Sequence, residues 1–185
     1  MRATLFGVTG RPYHHGDLRR ALLDAAVAAI EQDGAGALSL RAVARRAEVS
    51  HAAPTHHFGD KAGLLTAVAV QGYELLHAAL TAAARSGGFT DVGVAYVRFA
   101  GEHPAHFAVM FRPELLHDDD PELVAARDRA GEPLLSGAGD RATATAAWSL
   151  VHGLATLLRH GVIAPAPNSS VEDLARVVTR KLRLD

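Results

Sequence analysis

A short polar segment in the first third of the chain carries side chains suited to contact with nucleic acid. Residues 49–61 read VSHAAPTHHFGDK, so a proline, two adjacent histidines and a glycine lie between stretches with helical spacing. The outward positions of a helix here are short and hydrogen-bonding: His51, Ala52, Thr55 and His56. Such side chains reach phosphates and base edges without bulk. The side chains that could carry function in this segment are therefore its exposed ones. Neighbouring helices must hold the segment in place.

Two helices are predicted before this segment. Asp17 is the predicted cap of a first helix that stops at Gly34, and Ser39 caps a second, short helix. After a three-residue turn, Ser50 caps a third helix over residues 51–57. Three short helices with a tight turn between the second and third make a helix-turn-helix unit. The alternative from the residues alone is an alanine-rich helical hairpin with no DNA partner.

The composition favours helices throughout. Hydrophobic residues make up 49% of the 185 residues, but aromatic residues only 5%. Alanine- and leucine-rich sequences with few aromatics are typical of helices. The prediction is an all-α protein of about nine helices, in which a three-helix helix-turn-helix unit precedes a larger helical domain. The later helices are predicted at residues 60–85, 90–101, 104–111, 120–136, 140–161 and 171–183, with a loop at 136–139.

Residues 13–66 resemble the N-terminal domain of TetR-family (tetracycline-repressor-like) transcriptional regulators. The family pattern has a Thr/Ser-hydrophobic step into A-x-x-A-x-V-S, then H-F-x-(S/D/N)-K before the fourth helix. This chain has the matching residues in the same order and spacing: Ala44, Ala47, Val49, Ser50, His57, Phe58, Asp60 and Lys61. Glu48 replaces the glycine usual in the turn, which suggests a turn without a left-handed residue. Thr55-His56 replaces the usual aromatic pair.

The resemblance implies a DNA-binding regulator, expected to be a repressor that binds a near-palindromic operator as a homodimer and is released by a small ligand. The expected organisation is a flexible arm at 1–12, a helix-turn-helix domain at 13–60, and a ligand-binding and dimerisation domain at 61–185. Thr55 and His51 are expected at base edges, and Lys61 and Arg45 at phosphates. The full set of expected DNA-binding residues is Ser39, Arg45, Ser50, His51, Ala52, Thr55, His56, His57 and Lys61.

The C-terminal part has a second resemblance. Trp148, His152 and Gly153 lie in AWSLVHGLATLLRHG, which resembles a helix of one C-terminal subclass of the family, the Trp-His-Gly type, and residues 103–115 fit the same subclass. Large side chains can line an adaptable cavity for a small apolar or amphipathic ligand. The alternative is that these large side chains fill an ordinary hydrophobic core and leave no cavity. The expected ligand-binding residues are Tyr73, His77, Tyr96, Phe99, Phe107, Met110, Phe111, Trp148 and His152.

Helix 140–161 is apolar on two sides, so it must be buried on two sides. One side is expected to face the cavity and the other a second subunit, together with helix 171–183. A single monomer core could also bury both sides.

Other function classes find little support in the sequence. The chain has 11 histidines but no cysteine. The adjacent pairs His14-His15 and His56-His57 are poorly placed to share a metal ion. His103 and His106, three residues apart, could share one, but Pro104 favours a capping role for His103, so no metal or cofactor is expected. No nucleophile or acid–base constellation indicates an enzyme. No apolar run of membrane or signal-peptide length is present, so a cytoplasmic protein without membrane contact is expected. The remaining alternatives are a DNA-binding dimer that needs no ligand and a helical enzyme that binds small molecules.

Overall fold

The computed structural model describes residues 15–181, with side chains from residue 18 onward. In this range the chain forms nine α-helices, one 3-10 helix at Pro113–Leu115 and no strand, which confirms the all-α prediction. The predicted flexible arm lies outside the described residues. The helices are α1 His15–Ala37, α2 Leu40–Arg46, α3 Ala53–Phe58, α4 Lys61–Ser86, α5 Phe89–Glu102, α6 Pro104–Met110, α7 Pro121–Ala138, α8 Arg141–Arg159 and α9 Val171–Thr179.

Short polar side chains begin most of these helices, as the sequence predicts. Ser39 Oγ accepts the Ala42 N–H at 3.2 Å, and Asp60 Oδ1 accepts the Gly63 N–H at 2.8 Å. Ser170 caps α9 in the same way, and Asp173 bonds back to the Ser170 N–H at 3.0 Å. Each of these bonds gives a hydrogen-bond partner to a backbone N–H that has none within the helix.

Several predicted boundaries are wrong, among them those of α1, α7 and α9. Helix α1 begins at His15, so Asp17 lies inside the helix and not at its cap. Helix α7 continues to Ala138, because only Gly139, with φ 81°, takes the left-handed conformation that ends a helix. Residues 136–138 are therefore helical rather than part of a loop. Helix α9 ends at Thr179, four residues earlier than predicted.

Helix α4 lies at the centre of the protein and packs against α1, α5, α6 and α7. Its length and composition would be enough to cross a membrane, but 56% of its most apolar window is buried inside the protein. Buried side chains occur along its whole length, from Leu64 and Leu65 near the start to Leu80 near the end. Helix α4 is the core helix around which the other helices pack.

Helices α4 and α6 approach closely at Gly72. A Cβ atom at this position would lie 2.6 Å from Met110 Sδ and 3.0 Å from His106 Cβ. His106 is only 6% exposed, and its Nε2 lies 3.1 Å from Gln71 Oε1. Burial, with a further contribution from His103, lowers the pKa of His106 to about 4. The contact therefore holds a neutral histidine against the central helix.

Candidate functional site

The turn between α2 and α3 depends on a left-handed residue. Glu48 has φ 56°, so the prediction of a turn without such a residue is wrong. Its N–H bonds to the Arg45 carbonyl at 3.2 Å, and the Val49 N–H reaches the Ala44 carbonyl at 3.0 Å. These two bonds form the Schellman pattern, which requires a left-handed residue just after the helix. Glu48 therefore adopts a backbone conformation that glycine would adopt more easily.

Helix α3 starts later than the sequence predicts. The first regular helical residue is Ala53, and its N–H bonds to the carbonyl of Ser50 at 3.0 Å. The Ser50 side chain is therefore not the cap of α3, and the cap position is Ala52. Pro54 is the second helical residue, where its missing N–H costs no intrahelical bond. The helix ends at Gly59, which has φ 76°.

Most of the expected DNA-binding residues lie on the surface of α2 and α3. Ser39, Arg45, Ser50, His51, Ala52, Thr55 and His56 are all exposed, and His57 is partly buried beside Phe58. Lys61 is partly buried, and its Nζ donates to the Gly36 carbonyl at 2.7 Å. Lys61 thus joins the start of α4 to the end of α1, a contact that the sequence did not predict.

A cavity of about 860 Å³ lies among α4, α5, α7, α8 and the end of α6. This volume is in the usual range for sites that bind small molecules. Six of the nine expected ligand-binding residues line it, namely Tyr73, Tyr96, Met110, Phe111, Trp148 and His152. The structure therefore brings these six residues together around one open space.

The other three expected residues do not line the cavity. His77 Nδ1 lies 2.8 Å from the Arg129 carbonyl of α7, so its ring is committed to a contact between helices. Phe99 is 1% exposed and packs in the core, with its ring 5.0 Å from that of His103. Phe107 stacks on the ring of His152 at 5.3 Å and supports the cavity wall from behind.

Three polar side chains form a hydrogen-bonded chain in the cavity wall. Trp148 Nε1 donates to Tyr96 Oη at 3.1 Å, and Tyr96 Oη lies 2.8 Å from His152 Nδ1. Burial raises the pKa of Tyr96 and lowers the pKa of His152, so both side chains are neutral at pH 7. Tyr73, also in the wall, donates to the Met110 carbonyl at 2.7 Å.

The cavity also has charged residues that the sequence analysis missed. Arg127 Nη2 donates to Asp118 Oδ1 at 2.7 Å, and its guanidinium lies 5.8 Å from the centre of the Tyr73 ring. Helical periodicity could not have indicated this pair, because Asp118 lies in a loop and Arg127 on α7. Further charged residues line the cavity at exposed positions: Asp128, Glu132 and Arg141.

The loop that carries Asp118 also contacts the start of α4. The His117 N–H donates to Thr66 Oγ1 at 2.9 Å, and His117 Nε2 lies 3.0 Å from Asp60 Oδ1. Asp60 is the cap of α4 and directly follows α3 and Gly59. A continuous set of polar contacts therefore leads from the cavity wall, through the loop, to the helix-turn-helix.

In the described part of the chain, no group of three or more histidine, aspartate or glutamate side chains is placed to hold a metal ion.

An exposed short helix behind a tight turn, set on an all-α core, defines a helix-turn-helix DNA-binding protein. Two family models match the chain: "Bacterial regulatory proteins, tetR family" over residues 22–68, and "Tetracyclin repressor-like, C-terminal domain" over residues 89–182. The chain belongs to the tetR family of bacterial regulatory proteins. It is a DNA-binding transcriptional regulator of this family.

Individual proteins are similar to the chain in sequence or in fold. The HTH-type transcriptional regulator BetI of Paraburkholderia xenovorans is 46% identical over 52 residues, which are 28% of this chain and 27% of BetI. The chain thus matches about a quarter of the length of this curated relative. A protein of unknown function from Rhodococcus sp. RHA1 has 32% identity and a TM-score of 0.78, with 94% of this chain and 97% of that chain covered. The multidrug binding protein EbrR, solved with imidazole, shares the fold at 22% identity and a TM-score of 0.64, with 97% of each chain covered.

Proposed function

We propose that this regulator is a repressor that binds a near-palindromic operator as a homodimer and leaves it when a small molecule fills the cavity. The observation that carries the proposal is the position of α4, which begins beside α3 and then forms one wall of the cavity. One rigid helix thereby joins the DNA-binding surface to the candidate ligand site. EbrR, which shares the fold, is described as a multidrug binding protein, and this supports a small-molecule ligand for the chain.

On the DNA side, exposure and chemistry assign different roles to different residues. His51 and Thr55 are exposed on the turn and helix that enter the major groove, and they are proposed to contact base edges. Arg45 is exposed at the end of α2, and with Ser39 and His56 it is proposed to contact phosphates. Lys61 is proposed to contact a phosphate with the donors that its bond to Gly36 leaves open.

Salt dependence of binding tests this assignment. Arg45→Ala is expected to weaken binding to every sequence alike and to reduce the slope of log K against log salt by about one unit. Thr55→Ala is expected to relax the preference for particular bases and leave the slope unchanged. The matched control is Arg85→Ala, an exposed arginine at the far end of α4. An Arg45→Ala protein with an altered base preference and an unchanged slope would contradict the proposal.

The proposed dimer uses α8 and α9. These adjacent helices expose Leu157 (42%) and Val177 (56%), and a Cβ on Gly153 would meet nothing within 4 Å. Burial of such apolar side chains against a second copy is favourable. The two α3 helices would then lie about 34–36 Å apart, or a multiple of that, as a two-fold operator requires.

Sedimentation tests the dimer directly. Wild type is expected to sediment as a dimer at micromolar concentration, and Leu157→Glu combined with Val177→Glu as a monomer. The matched control is Val124→Glu, because Val124 is equally exposed (41%) but lies on α7. A monomeric wild type, or a double variant that remains a dimer, would rule out this interface.

The loop at His117 is the proposed route of control. A ligand that displaces Asp118 or Arg127 would move this loop, which is bonded to α4 at Asp60 and Thr66. The expected coupling of about 1–3 kcal/mol corresponds to a 5- to 150-fold loss of DNA affinity. His117→Ala is expected to keep DNA binding and reduce release by an inducer found in a compound screen, whereas the exposed control His160→Ala should not. Equal release by both variants would place the route elsewhere.

A further inference from the structure

The hydrogen-bonded chain in the cavity wall fixes the state of His152. The Trp148 indole N–H can only donate, so it uses a lone pair of the Tyr96 hydroxyl. A second lone pair could accept from an Nδ1–H of His152, but the hydroxyl proton would then have no acceptor among the described residues. The proton is therefore assigned to His152 Nδ1, which lies 2.8 Å away. A neutral imidazole that accepts at Nδ1 carries its proton on Nε2. His152 is therefore a donor at its second nitrogen.

The His152 ring is also fixed in orientation. It stacks on Phe107 with the ring planes 27° apart, and Phe111 meets it edge-on at 4.6 Å. A flip of the ring would break the bond to Tyr96 and carry the donor away from its position. The protein thus holds one N–H in a constant place in an aromatic wall.

His152 lines the cavity, and its only hydrogen bond in the described part of the chain is the one through Nδ1, so its Nε2–H has no protein acceptor. The hydroxyls of Tyr73 and Tyr96 and the indole of Trp148 are already bonded. Arg127 donates to Asp118 through Nη2 and keeps further N–H donors elsewhere in the cavity. Within the cluster of rings that His152 forms with Tyr96, Phe107, Phe111 and Trp148, the Nε2–H of His152 is the donor left to bind a ligand.

We propose that the cavity takes a planar aromatic ligand that carries a hydrogen-bond acceptor, such as a ring carbonyl, against the Nε2–H of His152. This inference rests on the proposed function only in treating the cavity as the ligand site. The rings of Phe111 and Trp148 contact His152 at 4.6 and 5.9 Å and supply aromatic surface for such a ligand. A ligand with a donor at the same place would bring two N–H groups together and lose affinity.

Three tricyclic probes of nearly the same shape isolate the hydrogen bond. Fluorenone has a carbonyl acceptor, fluorene has a methylene group, and carbazole has an N–H donor at the same ring position. Equilibrium dialysis against the full-length protein without DNA is expected to give fluorenone about 10-fold tighter binding than fluorene, with carbazole weakest. Equal dissociation constants for the three probes, or binding by none of them, would overturn the inference.

Two variants test the role of His152 and its positioning by Tyr96. His152→Phe keeps an aromatic ring without the donor, and it is expected to bring fluorenone and fluorene within two-fold of each other. Tyr96→Phe frees the imidazole to change tautomer. It is expected to reduce the difference between the dissociation constants of fluorenone and carbazole. Retained discrimination in both variants would overturn the inference. If either variant fails to fold, the ¹⁵N shifts of His152 in wild type decide the matter, because protonation at Nδ1 instead of Nε2 would equally refute it.

Release of DNA is measured separately with fluorenone. Discrimination among the probes without release would leave the ligand class intact and count against ligand control of DNA binding. Release without discrimination would support that control and refute the assignment of His152.

Discussion

The helix-turn-helix and the cavity are built from different kinds of contact. Around α2 and α3, the key bonds join residues close in sequence, such as Ser39 to Ala42 and Val49 to Ala44. Around the cavity, the bonds join distant residues: Tyr96 and His152 are 56 positions apart, and Tyr73 and Met110 are 37 apart. The first region is therefore specified locally, whereas the second depends on the packing of the whole helical core.

The histidines show the same difference. His51 and His56 at the DNA-binding surface are exposed, whereas burial lowers the pKa of His106 and of His152 in the core. Acid should therefore act on the core through His106 and His152, because burial opposes the protonation of both rings in the folded protein.

The largest expected effect is acid destabilisation through His106. Its pKa is about 4 in the folded protein against 6.5 in the unfolded chain, so the neutral form stabilises the fold fully above pH 6.5. As the pH falls from 6.5 to 4, the unfolded chain takes up a proton that the folded protein does not, and the free energy of unfolding falls by about 3 kcal/mol. Urea denaturation at pH 7, 5.5 and 4 measures this change.

The comparison sharpens with two variants. Between pH 7 and pH 4, the free energy of unfolding of His106→Gln should fall less than that of wild type. The free energy of unfolding of His51→Gln should fall by as much as that of wild type. If His106→Gln and wild type lose stability in parallel, the acid response has another origin.

The next effect concerns the close approach of α4 and α6. Gly72→Ala is expected to destabilise by about 1–2 kcal/mol, because the added methyl group would overlap Met110 and press on His106. The gain in helix propensity offsets only part of this cost. Gly101→Ala is the matched control in α5, where a Cβ meets nothing within 4 Å, and it should stabilise by up to about 1 kcal/mol. Denaturation midpoints compare the two variants, and a stabilised Gly72→Ala protein would mean that α4 and α6 are packed less tightly.

The smallest effect lies in the turn of the helix-turn-helix. Glu48→Gly is expected to stabilise the protein by about 0.5–1 kcal/mol, because glycine adopts the left-handed conformation of this residue without the steric cost of a Cβ. Glu48→Ala keeps the Cβ and should give no such gain. Thermal unfolding of the two variants measures the difference, and equal melting temperatures would mean that the turn is not strained.

The sequence predicted what depends on local chemistry. Ser39 was predicted as a cap because a cap needs only a short polar side chain before an apolar helical pattern. Glu48 was misjudged because its left-handed conformation is imposed by the Schellman bonds of the turn, against its own preference. The Asp118–Arg127 pair was missed because only the packing of a loop on α7 brings the two side chains together.

Helix α4 has a consequence for hybrid regulators that combine parts of different family members. Leu64, Leu65 and Val68 belong to the same buried cluster as Leu22 and Ile30 of α1, and α1 also packs against α6. A chimera joined at residue 60 would leave the inner face of α1 against foreign side chains. A junction that transfers α1–α4 together, with the contacting face of α6, is expected to preserve both folding and the transmission of a ligand signal.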